Sequence, residues 1–199
     1  VHLNQVQTFR KSIGGTATNV AVAAARLGHH TAIFTRLGAD PMGGYVRHAL
    51  EDTFGVDTSW IVNDPTLRTP LAFATMEDPG EPEIIFYREP KGPDMNIEAS
   101  DIDAQVVRDV PILWFPTSCL AAEPSRSTIH QLLAWRERRT HTILDLDWRA
   151  QFWRDPADAT AELAQVLPHV TMAIGNRTEC QIAVGESDPH RAADALLAL

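Results

Sequence analysis

Apolar positions along the chain fall into two alternating rhythms. Asn19-Val20-Ala21-Val22-Ala23-Ala24-Ala25-Arg26-Leu27 is an Ala-rich helical stretch, with Gly28 as its C-terminal stop. Thr31-Ala32-Ile33-Phe34 then reads as a short buried strand, and Asp40-Pro41 opens a second helix that runs to about Leu50. Gly55-Val56-Asp57 ends that connection. Further along, the spacing predicts strands at Ile112–Phe115, Thr142–Asp147 and Val170–Ile174. Helices are expected from Pro124 to about Arg138, from Asp155-Pro156 onward, from Arg177 to Val184 and from Asp188-Pro189 to Leu199. Strand and helix in alternation predict an α/β fold, a mostly parallel sheet with helices on its faces.

One region breaks that rhythm. Leu71–Met76 and Glu83–Arg88 read as two strands with no helix between them, joined by the turn-rich Asp78-Pro79-Gly80-Glu81-Pro82. Such a pair predicts an antiparallel hairpin, a small flap inserted into the α/β body. The expected organisation is a body of residues 15–66 and 97–199, and a flap of residues 1–14 and 67–96.

Composition narrows the function classes. The 199 residues are 44% hydrophobic and 22% charged, ordinary for a globular chain. Seventeen Lys and Arg against twenty-six Asp and Glu leave a net charge of -9. Such a chain repels nucleic acid and anionic lipid, so neither is an expected partner, although a few converging basic residues can still hold a small anion. No apolar run approaches the roughly 20 residues that span a bilayer. Cys119 and Cys180 lack metal spacing and read as small apolar residues, which suits a reducing, cytoplasmic setting. The absence of Met at Val1, and a helix still running at Leu199, point to a piece of a longer protein.

Several residues stand out as chemistry. Gly14-Gly15 before the Ala-rich helix permits a tight turn and close backbone approach, and Asn19 adds a donor and an acceptor. That combination suits a polyhydroxylated ligand; a glycine turn with an Asn cap is the plainer alternative. Arg88, beside Tyr87 and near Lys91, fits a carboxylate, since a guanidinium grips one with two parallel bonds; the alternative is a surface ion pair with Glu89. Asp147 and Arg149 follow a buried strand, where ligands of parallel sheets gather, or they form a structural pair with each other. Alternation sets Asp145 and Asp147 opposite Leu144 and Leu146. Thr117 and Ser118 sit at another strand end, as sugar contacts or as loop hydrogen bonds. Trp148 and Trp153 read as packing residues, and His29-His30 as a solvated turn. Asn176-Arg177-Thr178-Glu179 has the form of a helix capping box.

Gly14-Gly15, Asn19, Ala21, Gly28 and Gly38 together resemble the first signature of the ribokinase-like (PfkB) family of carbohydrate kinases. Thr35-Arg36-Leu37-Gly38-Ala39-Asp40-Pro41-Met42-Gly43 is similar to that signature's Gly-x-Asp-x-x-Gly continuation. Phe86–Asp94, Leu144–Trp153 and Val170–Cys180 resemble the branch that phosphorylates 5-dehydro-2-deoxygluconate, an inositol-derived keto acid, and its sibling acting on 2-keto-3-deoxygluconate. The resemblance implies a Rossmann-type three-layer sandwich with an antiparallel β lid, and ATP with Mg²⁺, and a monovalent cation as an option. It implies that Gly14, Gly15 and Asn19 hold sugar hydroxyls. Tyr87, Arg88, Lys91, Thr117 and Asp147 then bind substrate, and Arg149 meets either substrate carboxylate or nucleotide phosphate. Asn176 and Glu179 organise metal and phosphate, in addition to capping. The family's catalytic Asp, in a Gly-Ala-Gly-Asp turn, is absent from these 199 residues and is expected beyond Leu199, while the family's first strand is expected before Val1. A non-catalytic sugar-acid-binding paralogue and an inactive fragment are the other classes. Flap-mediated homodimers, or larger homo-oligomers, complete the expectation.

Overall fold

The computed structural model describes residues 3–75, 83–139 and 141–199. Two compact units are present, Val1–Pro93 and Asp94–Leu199.

In the first unit, helix α1 (Thr16–Arg26) is followed by strand β1 (Thr35–Gly38) and helix α2 (Pro41–His48). A π-helical turn, Ala49–Thr53, extends α2, and strand β2 (Ile61–Asp64) returns parallel to β1, with Thr35 opposite Ile61 and Gly38 opposite Asp64. Ala21, Ile33, Leu37, Leu50, Val56 and Ile61 form the core, with Val22, Val46 and Phe54 packed at its margin. Leu50 and Val56 are almost wholly removed from water, worth about 1.5–3 kcal/mol for each side chain.

Two expectations need correction here. Helix α1 starts three residues before Asn19, because Gly15 takes the capping position at φ 105° and the Asn19 N–H already bonds the Gly15 carbonyl at 2.9 Å. The strand expected at Thr31–Phe34 makes one bridge, Ala32 with Asp57, and the ladder proper runs over Thr35–Gly38. Asp57 explains the gap. Its carboxylate accepts from the Ser59 N–H at 2.8 Å and from the Ser59 hydroxyl, folding the chain into a turn before β2 can pair.

The hairpin is present as β3 (Leu71–Thr75) and β4 (Glu83–Tyr87), antiparallel, with Leu71 opposite Tyr87 and Phe73 opposite Ile85. Met76 and the Asp78–Pro82 turn lie outside the described residues. Phe73 stands edge-on to Phe9 at 5.1 Å and to Tyr87 at 5.4 Å, so an aromatic row ties the N-terminal segment to this sheet.

The second unit alternates α3 (Ala104–Asp109), β5 (Leu113–Pro116), α4 (Ser125–Arg136), β6 (Thr142–Asp145), α5 (Pro156–Val166), β7 (Met172–Ile174), α6 (Arg177–Val184) and α7 (Pro189–Leu197). Its strands are parallel in the order β5-β6-β7. Leu120, Leu133, Leu144, Leu146, Leu163 and Val166 fill the core. Asp155 and Asp188 cap α5 and α7, each followed by Pro at the first helical position. Helix α4 stops two residues short of Arg138, because Glu137 and Arg138 take left-handed backbone angles. The fully buried Arg136 turns back to bond the carbonyls of Val107, Arg108, Val110 and Pro111 and the Thr142 hydroxyl. No helix among the described residues is long and apolar enough to cross a membrane.

Candidate functional site

In the first unit, the candidate residues sit at the start of α1 and at the foot of the β3–β4 sheet. The turn before α1 is roomy: among the described residues, a Cβ built on Gly14 meets nothing within 4 Å, and one on Gly15 meets only Thr18 Oγ1, at 3.9 Å. Packing within the chain therefore does not demand the glycine at 14, whereas the φ of 105° demands one at 15. Asn19 is exposed on the first turn of α1. Tyr87 ends β4 and is 59% exposed, Arg88 follows half-buried, and Lys91 lies half-buried in the next turn.

A second glycine-bearing junction is packed tight. Asp40 caps α2: its Oδ1 accepts from the Met42 and Gly43 N–H groups at 2.9 Å, and its Oδ2 accepts from the Thr69 N–H at 2.8 Å. The Thr69 hydroxyl accepts from the Gly38 N–H at 3.0 Å and also bonds the Asp40 carboxylate. Burial pushes the Asp40 carboxyl up, but the bonds from Thr69, Gly43 and Met42 outweigh it and hold the group below its ordinary value. A Cβ on Gly43 would stand 2.1 Å from the Gly38 carbonyl oxygen, and one on Gly38 would stand 2.5 Å from the Thr69 nitrogen. Just upstream, the buried Asp64 accepts from Thr66 and Leu67 N–H groups at 2.8 and 2.9 Å. The sequence marked Gly38, Asp40 and Gly43 only as a motif; the reach of Asp40 to Thr69, across 29 residues, had no local signal.

In the second unit, the candidates collect at the carboxyl ends of β5, β6 and β7. Leu144 and Leu146 are fully buried, as alternation required, while Asp145 is half-buried and Asp147 is 8% exposed. Arg149 donates from Nη2 to Asp147 Oδ1 at 2.6 Å, so the structural pairing weighed for these two residues exists. About half of the Arg149 side chain stays exposed beyond that contact (49%), leaving guanidinium surface for an anion. The Asp147 N–H bonds Asp145 Oδ1 at 3.1 Å. Burial pushes the Asp145 carboxyl up, and the neighbouring Asp147 charge adds to this, against the Asp147 N–H and Arg149. Thr117 is fully buried and its hydroxyl donates to the Asp145 carbonyl at 3.1 Å, supporting the end of β6 from below. The Leu146 N–H bonds the Ile174 carbonyl at 2.7 Å, extending β6 against β7 past Asp145. Trp153 is buried, as expected of a packing residue, and the buried indole N–H groups of Trp148 and Trp153 have no acceptor among the described residues.

Asn176 and Glu179 form a reciprocal capping box on α6. Asn176 Oδ1 accepts from the Glu179 N–H at 3.0 Å, and Glu179 Oε2 accepts from the Asn176 N–H at 2.8 Å. Glu179 is 8% exposed and keeps its second carboxylate oxygen outside the box. Among the described residues no three His, Cys, Asp or Glu side chains group closely enough to cage a metal. One buried carboxylate of this kind fits a cation that retains its water, as Mg²⁺ does, rather than one enclosed by protein. Cys119 and Cys180 are half-buried thiols; burial and the Glu179 charge push the Cys180 thiol up.

The 5-dehydro-2-deoxygluconokinase of Geobacillus kaustophilus (strain HTA426) is 30% identical over 179 residues, covering 89% of this chain and 53% of that protein. Fructokinase-1 of Zea mays is 28% identical over 186 residues, covering 93% of this chain and 57% of that protein. The chain thus spans about half the length of the curated relatives it matches, 53% for the first of these. Fructokinase from Vibrio cholerae O395, in its fructose-, ADP- and calcium-bound crystal structure, superposes with a TM-score of 0.83 at 26% identity, over 96% of this chain and 61% of that one. An α/β fold with parallel sheets and an antiparallel flap is therefore shared with sugar kinases of known structure. With the model of the pfkB family carbohydrate kinases matching residues 1–199, the chain belongs to that family.

Proposed function

We propose that the full-length protein transfers the terminal phosphate of ATP to a hydroxyl of a sugar acid, with 5-dehydro-2-deoxy-D-gluconate as the first candidate. The family match over residues 1–199 carries the kinase reading. The curated relatives include both 5-dehydro-2-deoxygluconokinases and fructokinases, so the acid is favoured by a residue of this chain: Arg88, beside the exposed Tyr87 at the end of β4.

In this reading, Gly14, Gly15 and Asn19 receive the sugar hydroxyls, and Tyr87, Arg88 and Lys91 receive its carboxylate end. Asp147 orients Arg149, whose free guanidinium surface meets the carboxylate or a nucleotide phosphate. Thr117 acts from beneath, by fixing the Asp145 carbonyl. Asn176 and Glu179 would hold Mg²⁺ through its water shell. When bound, that ion neutralises phosphate charge during transfer. The Asp that takes the proton from the attacking hydroxyl is assigned to the part of the protein outside these 199 residues. Self-association through the β3–β4 sheet belongs to the same reading, since Leu71, Ile84 and Tyr87 are exposed there. The half-buried thiols of Cys119 and Cys180 support a cytoplasmic setting.

A neutral-sugar kinase is the second reading, favoured by the fructokinase relatives. Steady-state kinetics of the full-length protein with ATP and 5-dehydro-2-deoxygluconate, 2-keto-3-deoxygluconate, ribose and fructose separates the two. Arg88→Ala should lower kcat/KM for the acids roughly 10- to 100-fold, the cost of a lost charge-assisted contact, and leave neutral sugars almost untouched. Equal losses for acid and neutral sugars would remove Arg88 from carboxylate recognition. Absence of phosphorylation across the whole panel, with sugar acids still bound, would favour the non-catalytic paralogue.

A further inference from the structure

The flap strand that ends in Tyr87 and Arg88 is held from a distance. Thr69 lies two residues before Leu71, the first residue of β3, and Leu71 is the ladder partner of Tyr87. Thr69 is fixed by two independent bonds. Its N–H donates to Asp40 Oδ2 at 2.8 Å, and its hydroxyl accepts from the Gly38 N–H at 3.0 Å. Asp40 in turn is anchored on the start of α2 through the Met42 and Gly43 N–H groups. The junction has no slack, because Gly38 and Gly43 are packed against backbone atoms of the same knot. Residues 64–67, between β2 and this anchor, are tied down by Asp64, whose carbonyl also accepts from the Ala39 N–H at 2.9 Å. By contrast, the N-terminal segment, whose Phe9 touches Phe73 of β3, reaches α1 through the uncrowded Gly14–Gly15 turn.

We propose that Asp40, acting through Thr69, is a positioning residue for Arg88: it fixes the foot of β3, and through the Leu71–Tyr87 pairing it fixes where the Arg88 guanidinium is presented. The inference rests on the reading of Arg88 as the contact for the substrate carboxylate. The chain of contacts runs from the α2 N-terminus to Asp40, Thr69, Leu71, Tyr87 and Arg88, each step a hydrogen bond, a ladder pair or two or fewer residues of backbone. A carboxylate serves better here than an amide would. It accepts from both sides at once, whereas the amide of an Asn offers one oxygen and one nitrogen donor that would face the Thr69 N–H.

Two measurements on the full-length protein test this. Hydrogen exchange by mass spectrometry compares wild type with Asp40→Asn, a substitution that keeps a good helix cap. Several-fold faster exchange is expected over residues 69–75 and again over 84–88, with Thr35–Leu37 of β1 and with β2 unchanged. Unchanged exchange over 84–88 would overturn the proposal, whatever the enzyme turns over. The second measurement is a double-mutant cycle in kcat/KM. Asp40→Asn should cost the acid substrate about tenfold and fructose almost nothing, and should cost nothing further once Arg88→Ala is present. A loss that simply multiplies with that of Arg88→Ala would show an ordinary structural role and overturn the proposal. Thr69→Val should reproduce the acid-selective loss, and Thr69→Ser, which keeps the hydroxyl, should show none. If wild type phosphorylates no sugar or sugar acid, the kinase reading fails, and the exchange result still decides whether Asp40 holds the Tyr87–Arg88 segment.

Discussion

The two glycine-bearing junctions of the first unit use the same residue type for opposite ends. At Gly38 and Gly43, backbone and side-chain atoms of the chain itself occupy the space where a Cβ would go, at 2.1 to 2.5 Å. At Gly14 no atom of the described residues enters that space, and at Gly15 the need is conformational. Close approach within the chain makes a rigid anchor, whereas an uncrowded turn beside an exposed Asn19 leaves room for something from outside. Glycines in a signature therefore separate into those packed into the scaffold and those standing in uncrowded turns, a distinction that residue spacing does not make.

Substitutions should reproduce that division, in descending order of effect. Gly43→Ala forces a methyl against the Gly38 carbonyl, and should destabilise the fold by about 3 kcal/mol or more, read from the urea midpoint of the full-length protein. A near-native midpoint would mean the knot relaxes easily and is no anchor. Asp40→Ala removes a helix cap and the Thr69 bond together, for about 2 kcal/mol at neutral pH. Its pH dependence has a definite sign. The folded pKa lies below the ordinary 3.8, so the carboxylate's contribution is complete above that value and vanishes as pH falls through the folded pKa. The stability gap between wild type and Asp40→Ala should accordingly close in acid; a gap that stays constant down to unfolding would remove the carboxylate charge from the account. Gly15→Ala should cost about 1 kcal/mol, for placing a side chain at positive φ. Gly14→Ala should stay within about 0.5 kcal/mol of wild type while raising the sugar KM, because its methyl enters the space assigned to ligand. An unchanged KM for Gly14→Ala would place the sugar elsewhere.

What the sequence disclosed follows from how far each interaction reaches. Asp40-Pro41, Asp155-Pro156 and Asp188-Pro189 announced helix starts, because a cap and its N–H partners lie within three residues. The Asn176–Glu179 box was readable for the same reason. The hairpin, too, was visible as two apolar runs around a turn. Strand β2 leaves little trace because its Ile61-Val62-Asn63-Asp64 is short and half polar, and the apolar run with the buried Ile33 marks the core rather than the ladder, which begins at Thr35. Asn19 was set at the helix start because nothing local reveals that Gly15 is the cap. At the site, residue types were legible but engagements were not. Asp147 with Arg149 was foreseen as one alternative, while Asp145 escaped notice as a group whose carboxyl is pushed up by burial and by Asp147. The Thr117 bond to the Asp145 carbonyl spans 28 residues, and no spacing rule reports it.

Arg136 carries an implication for how the second unit assembles. One guanidinium gathers carbonyls from Val107 to Pro111, 25 to 29 residues earlier in the chain, and the Thr142 hydroxyl six residues later. Until helix α4 exists, those carbonyls have no such collector; until they are in place, Arg136 is a charge with nowhere dry to go. Burying either half without the other is thus unfavourable, and burying the two together closes a loop of about 30 residues, at a chain-entropy cost that grows only slowly with loop length. A side chain in that position works as a coincidence detector during folding. It rewards the simultaneous arrival of α3, β5, α4 and β6, and a lysine, with one nitrogen in place of a planar fork, could not register all of them at once.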